Sequence, residues 1–142
     1  NSEWKIKLHM HKEDIPLLEK AESIAHFYGF NHYEESPSPE HLLNHNETIT
    51  FGKSNMKILF TPGHAPGHIC LYNNENNILI SGDVIFKNSI GRTDLPLGNY
   101  DVLMNSIKRE ILTLPNKTQI FCGHGPTTNL ELEKKHNPFI NI

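Results

Sequence analysis

The sequence predicts an α+β fold in a single domain over residues 1–142. Two observations carry this. Short apolar segments come first and then alternate with helical ones, the order expected where helices cover a face of a sheet. Three of the segments also end alike: Phe60-Thr61-Pro62-Gly63-His64, Leu79-Ile80-Ser81-Gly82-Asp83 and Ile120-Phe121-Cys122-Gly123-His124 each close on glycine and then on a side chain able to bind metal. In open α/β sheets the ligand crevice lies beyond the carboxyl ends of the strands. Two imidazoles and a carboxylate are therefore expected on one rim, with glycine before each so that the backbone can turn and approach the site unobstructed. A single Gly-His after a strand is ordinarily a turn; three such endings in one chain make the pattern.

The elements follow in order. Lys5 to His9 alternates as a strand, with Ile6 and Leu8 on one face. Asp14 is placed to cap a helix with Pro16 in its first turn, and Leu17, Leu18, Ala21, Ile24, Ala25 and Tyr28 form an apolar core stripe before Gly29 ends it. Asn31 to Asn46 reads as a loop, with His32, His41 and His45 solvated. Strands are expected near Thr48 to Phe51, Met56 to Thr61, Ile69 to Tyr72 and Ile78 to Ser81, the last two joined by a hairpin turn in the Asn73-Asn74-Glu75-Asn76-Asn77 run. A helix from about Tyr100 to Leu114 carries Leu103, Ile107, Ile111 and Leu114 on one face and stops before Pro115. Gln119 to Cys122 is the last strand and Leu130 to His136 a closing helix.

Imidazole and carboxylate suit zinc, iron or manganese, and a catalytic zinc keeps three protein ligands plus water. Thr61-Pro62-Gly63-His64-Ala65-Pro66-Gly67-His68, with Ser81-Gly82-Asp83-Val84-Ile85-Phe86 and Gly123-His124-Gly125-Pro126 downstream, resembles the metallo-β-lactamase superfamily in its glyoxalase-II-like (hydroxyacylglutathione hydrolase-like) branch. Ser89-Ile90-Gly91-Arg92-Thr93-Asp94-Leu95-Pro96 and the closing Thr127-Thr128 to Asn137-Pro138-Phe139 resemble the compact members, which lack a helical glutathione-binding domain. The resemblance implies the αβ/βα sandwich of that superfamily and two metals, zinc with iron or manganese as alternatives. It makes His64 a ligand of the first metal, Asp83 the bridging and catalytic carboxylate, and His124 a ligand of the second. It leaves His68 as a residue that packs or hydrogen-bonds behind the site. Arg92 and Asp94 are candidates for substrate contacts or for a local ion pair.

The superfamily's His-x-His-x-Asp-His loop has no counterpart. His9-Met10-His11-Lys12-Glu13-Asp14 imitates it, but Glu13-Asp14 stands where Asp-His is needed, so these residues are read as structural. With Asn1 in place of an initiator methionine and no leader pattern, the chain is expected to be the C-terminal portion of a longer protein. Each metal would then have only two ligands from it.

Composition narrows the setting. A net charge of -3 without a dense Lys/Arg cluster argues against nucleic acid or an anionic membrane as partner. No stretch reaches the roughly 18 apolar residues that span a bilayer. Cys70 and Cys122 both fall in strand-like runs and are expected as buried thiols in a reducing, cytoplasmic compartment.

The expected activity is hydrolysis of a small-molecule thioester by metal-activated water, without a protein nucleophile; no Gly-x-Ser-x-Gly elbow is present. Two alternatives stand beside it. One is a mononuclear iron persulfide dioxygenase, which the Gly-Arg-Thr-Asp segment also resembles and which would leave His124 without a metal. The other is a catalytically silent piece that associates with itself or with a missing N-terminal half.

Overall fold

The first of two units, Asn1–Leu43, holds among its described residues a short parallel strand pair; Pro37 and Pro39, which cannot donate to a ladder, lie just before its second strand. In the computed structural model, which describes residues 6–140, β1 (His9–His11) pairs with β2 (His41–Leu43) in the register His9↔His41 and His11↔Leu43. The strand expected from Lys5 to His9 thus begins where its partner does, and Lys5 lies outside the described residues. His41, exposed as expected, is in a strand rather than a loop, with its ring 5.2 Å from that of His9.

Asp14 makes no side-chain cap. Instead the amide of Glu13 donates to His11 Nδ1 at 3.3 Å, which opens a short 3-10 turn over Lys12–Asp14. The helical segment is broken at Lys20 (φ -93°, ψ 0°) into α1 (Ile15–Glu19) and α2 (Ala21–Phe27). Such angles leave the helical well and shift the phase of the apolar stripe. The stripe is consequently not the expected core: Leu17, Leu18, Ala21 and Ala25 are half-buried, while Ile24 and Tyr28 are exposed. Gly29 does end the helix, at φ +83°.

The second unit, Asn44–Ile142, carries the main sheet. Its strands are β3 (Thr48–Phe51), β4 (Ser54–Phe60), β5 (Ile69–Asn73) and β6 (Ile78–Gly82). The β5–β6 hairpin forms where the Asn-rich run predicts it, with Asn77 at φ +53° and Asn73 Oδ1 accepting from the Asn76 amide at 2.7 Å. A small hairpin follows, β7 (Ile85–Phe86) with β8 (Ser89–Ile90). Next comes α3 (Tyr100–Ser106), whose Asn99 cap accepts from the Val102 amide at 3.0 Å and which runs on through a wider π turn, Ile107–Ile111. The chain closes with β9 (Gln119–Cys122), β10 (Thr128–Asn129) and α4 (Leu130–His136), capped by Asn129. The strand at Thr128–Asn129, too short to show a period, supplements the expected last strand.

The sheet order is β10-β9-β6-β5-β4-β3. β6 and β9 are parallel, whereas β4–β5 and β5–β6 are antiparallel, so β4, β6 and β9 all run the same way. Their carboxyl ends share one rim. On one face Leu59, Cys70, Tyr72, Leu79 and Ile120 pack in a core with Leu103, Ile107 and Ile111, the stripe expected of the long helix. The other face carries the cross-strand row Ile58, Leu71, Ile80 and Phe121, the last two 42% and 40% exposed. Burial pushes the Cys70 thiol up to about 12. Cys122, expected to be buried, is only half-buried because it ends its strand, where its thiol donates to the carbonyl of His124 at 2.9 Å. No helix among the described residues is long and apolar enough to cross a membrane.

Candidate metal centre

Two glycines explain how the three strand ends can meet. Gly82 bends at φ +50°, a conformation L side chains resist, and a Cβ there would come to 2.6 Å from His68 Nε2. A Cβ on Gly123 would collide with Asp83 Oδ1. The glycine ahead of each polar side chain therefore lets β6 and β9 close onto Asp83, with the amide of Gly123 donating to the carbonyl of Gly82 at 2.8 Å.

The structure brings His64, Asp83 and His124 together. Asp83 Oδ2 is 3.5 Å from His64 Nε2 and 3.3 Å from His124 Nε2. Two donors about 2.1 Å from one tetrahedral ion stand roughly 3.4 Å apart, so each imidazole lies one coordination edge from the same oxygen. Among the described residues no three His, Cys, Asp or Glu side chains are grouped to hold one ion. The three side chains offer donors of the kind a metal takes, with Asp83 Oδ2 between the two imidazoles. Asp83 and His64 are largely shielded, whereas the side chain of His124 is 79% exposed.

The protonated nitrogens follow from the partners. His64 Nδ1 lies 2.9 Å from the carbonyl of Arg92; a carbonyl only accepts, so the proton sits on Nδ1 and Nε2 keeps its lone pair for the Asp83 side. A carbonyl behind a ring nitrogen is the arrangement that fixes the tautomer of metal-binding histidines. On the other side the ring of Phe86 stacks on that of His124, at 6.1 Å and 27°.

His68 stands behind the centre. Its Nε2 accepts from the Asp83 amide at 3.1 Å, and its Nδ1 meets Thr61 Oγ1 at 3.1 Å. The Asp83 amide can only donate, so Nδ1 bears the proton and His68 donates to Thr61. Burial, reinforced by the adjacent His64 and opposed by Asp83, lowers the His68 pKa to about 4. A neutral ring there holds the main chain of Asp83.

Arg92 and Asp94 form an exposed two-point ion pair, Nε–Oδ1 2.8 Å and Nη2–Oδ2 2.7 Å. The Arg92 hydrogen bonds hold the Asp94 carboxyl down at about 2. Both side chains face each other, and what Arg92 gives the centre directly is its carbonyl. Sequence reasoning missed this contact and the Phe86 stacking, since a main-chain group leaves no residue-type signal. A cleft of about 420 Å³ opens over His64, Asp83 and His124, edged by Phe86, Lys87 and Arg92.

The histidines set aside in the sequence belong to other elements. His9 and His11 belong to β1. His45, exposed as expected, also accepts from the Phe60 amide at 3.1 Å through Nδ1 and places Nε2 3.8 Å from Glu110. It thus ties down the end of β4.

Known proteins resemble this chain along most of its length. The chain is 37% identical over 139 residues to the probable metallo-hydrolase YqgX of Bacillus subtilis, covering 97% of this chain and 65% of the relative. It is 35% identical over 130 residues to the hydroxyacylglutathione hydrolase GloC of Haemophilus influenzae, covering 92% and 61%. It thus spans somewhat less than two thirds of the length of these curated relatives. The crystal structure of TTHA1623 in a di-iron-bound form superposes with a TM-score of 0.87 at 37% identity, over 97% of this chain and 67% of that one. The family model of the metallo-β-lactamase superfamily matches residues 2–124, a span that contains all three side chains of the centre, and the chain belongs to that superfamily.

Proposed function

We propose that this centre serves a metal-dependent hydrolase that cleaves a small-molecule thioester, with Asp83 shared between two zinc ions. The observation that carries the reading is the placement of Asp83 Oδ2 one coordination edge from both imidazoles. When bound, such ions act as Lewis acids toward the thioester carbonyl and bring the pKa of water from 15.7 to near 7.

The residues divide the work. Asp83 would hold the ions through its carboxylate and help orient water, with its main chain fixed by neutral His68. His64 presents Nε2 because its Nδ1–H donates to the Arg92 carbonyl. His124 closes the exposed side against Phe86. Arg92, paired with Asp94, and Lys87, both at the edge of the cleft, are the candidates for meeting the substrate. Each ion would take further donors beyond the Asp83 carboxylate and one imidazole. Two free thiols, one of them buried, accord with a reducing, cytoplasmic setting.

The likeness to GloC, a hydroxyacylglutathione hydrolase, supports the hydrolase reading, as does that to the probable metallo-hydrolase YqgX. Iron is the second reading for the metal, favoured by the di-iron form of TTHA1623. The test is thiol release from an S-acyl thiol by the intact protein loaded with zinc or with iron. Asp83→Asn is expected to lower kcat/KM by at least about a hundredfold, in keeping with loss of the ion-binding chemistry. Thiol release unchanged in that variant, or absent from the loaded wild type, would sink the proposal.

A further inference from the structure

One short hairpin touches both imidazoles. β7 and β8 pair as Ile85↔Ile90 and Phe86↔Ser89. From its first strand Phe86 stacks on His124. Its second strand runs directly into Gly91, whose amide donates to Val84 at 3.1 Å, and then into Arg92, whose carbonyl receives the His64 Nδ1 proton at 2.9 Å. Wherever this hairpin sits, both rings follow.

The hairpin is too small to hold its own place. Two residues per strand give no independent stability, and its tip, Lys87-Asn88, needs Asn88 at φ +58°. What fixes it comes from the far end of the chain. The Asn88 amide donates to Glu133 Oε2 at 2.8 Å. Asn137 Nδ2 donates to the carbonyl of Ser89 at 2.9 Å, with Phe86 at 3.4 Å, and to Glu133 Oε2 at 2.8 Å. Thr128 Oγ1 donates to Glu133 Oε1 at 2.6 Å. Glu133 and Asn137 are both 0% exposed and Thr128 8%. Every partner of the Glu133 carboxylate is a donor, which suits an acceptor-only group. Burying so polar a cluster costs stability unless each group is paired, and here the pairs lead to the hairpin.

We propose that Glu133 and Asn137 are positioning residues of the metal centre. They touch no reacting atom; they set the place of the 85–90 hairpin and, through the Arg92 carbonyl and the Phe86 ring, the orientation of His64 and His124 around Asp83. The inference rests on the reading of His64 and His124 as metal ligands. It gives the Asn-Pro-Phe ending a role, since Pro138 stops α4 with Asn137 in extended backbone (φ -74°, ψ 115°) facing the hairpin carbonyls.

The test compares Glu133→Ala and Asn137→Ala with Glu133→Gln. The glutamine can offer its oxygen to Asn88 and Asn137 and its amide to the Thr128 hydroxyl, so it is the conservative rescue. Two quantities are read in folded protein: the imidazole nitrogen shifts of His64 in the metal-free chain, which report the tautomer, and zinc affinity by competition with a chelator. The alanine variants are expected to turn a single Nδ1–H tautomer of His64 into a mixture. They should also weaken zinc roughly ten- to a hundredfold, the usual cost of losing a partner behind a ligand, and Glu133→Gln should restore both. A lower Tm with the wild-type tautomer and zinc affinity would reduce the cluster to a structural role and overturn the proposal. Should the alanine variants not fold, Thr128→Val removes one donor to Glu133, and the same two readouts decide. If the intact wild-type protein binds no zinc, the metal reading fails and the proposal with it, and a His64 tautomer that still shifts in the variants would then mark only the hairpin's hold on that ring.

Discussion

His68 carries a charge state the folded chain refuses. Its pKa is about 4 against the ordinary 6.5, chiefly because burial penalises the imidazolium. Between those values the unfolded chain binds a proton that the folded chain does not. The stability tied to neutral His68 is therefore fully present above about pH 6.5 and lost as the pH falls toward about 4. His68→Gln, which can still accept from the Asp83 amide, should flatten this acid loss. Urea midpoints at pH 7 and pH 4.5 check it, and an unchanged difference between them would count against the assignment. At this scale the sequence was informative where a residue type is demanded by its place. Glycine ahead of Asp83 and His124 is legible because any Cβ would strike His68 or Asp83 itself. The carbonyl of Arg92 is illegible for the opposite reason, since every residue has one.

Among elements, the two faces of the sheet should respond differently to truncation. Ile120 is fully buried against the α3 layer, and Phe121 beside it is 40% exposed on the other face. Ile120→Ala should cost about 2–5 kcal/mol through lost burial and a cavity, and Phe121→Ala less than half of that. Denaturant midpoints of the two variants test it; equal losses would mean that the second face is as closely packed as the first. Long periodic elements were readable from the sequence: β3, β9 and α4 have the expected bounds, and β4, β5 and β6 differ by a residue or two. The elements that were not readable depend on partners distant in sequence. β2 exists because β1 lies beside it, and β7, β8 and β10 are two residues long, below any period. The broken helix at Lys20 was hidden because its apolar spacing continues unbroken through the kink.

Over the whole molecule, the fold class and the rim were legible because they follow from strand order and from what closes each strand. The division into two units was not, since no composition shift marks Leu43–Asn44. The direction shared by β4, β6 and β9 has a further consequence, for the order of folding. β6 and β9 form the one parallel pair of the six-stranded sheet among the described residues, joined by a crossover through the 85–90 hairpin and α3. Pairings between such distant segments pay loop-closure entropy before they gain contacts and tend to form late. Asp83 and His124 come together only when that pairing closes. Bound ions would then stabilise contacts absent from the folding transition state. Zinc added at the start of refolding should leave the refolding rate unchanged, while zinc-loaded protein should unfold more slowly than metal-free protein, as stopped-flow traces in denaturant would show. Acceleration of refolding by the metal would place the β6–β9 crossover in the nucleus instead. In this protein the ion is thus expected to latch a finished fold rather than to seed it.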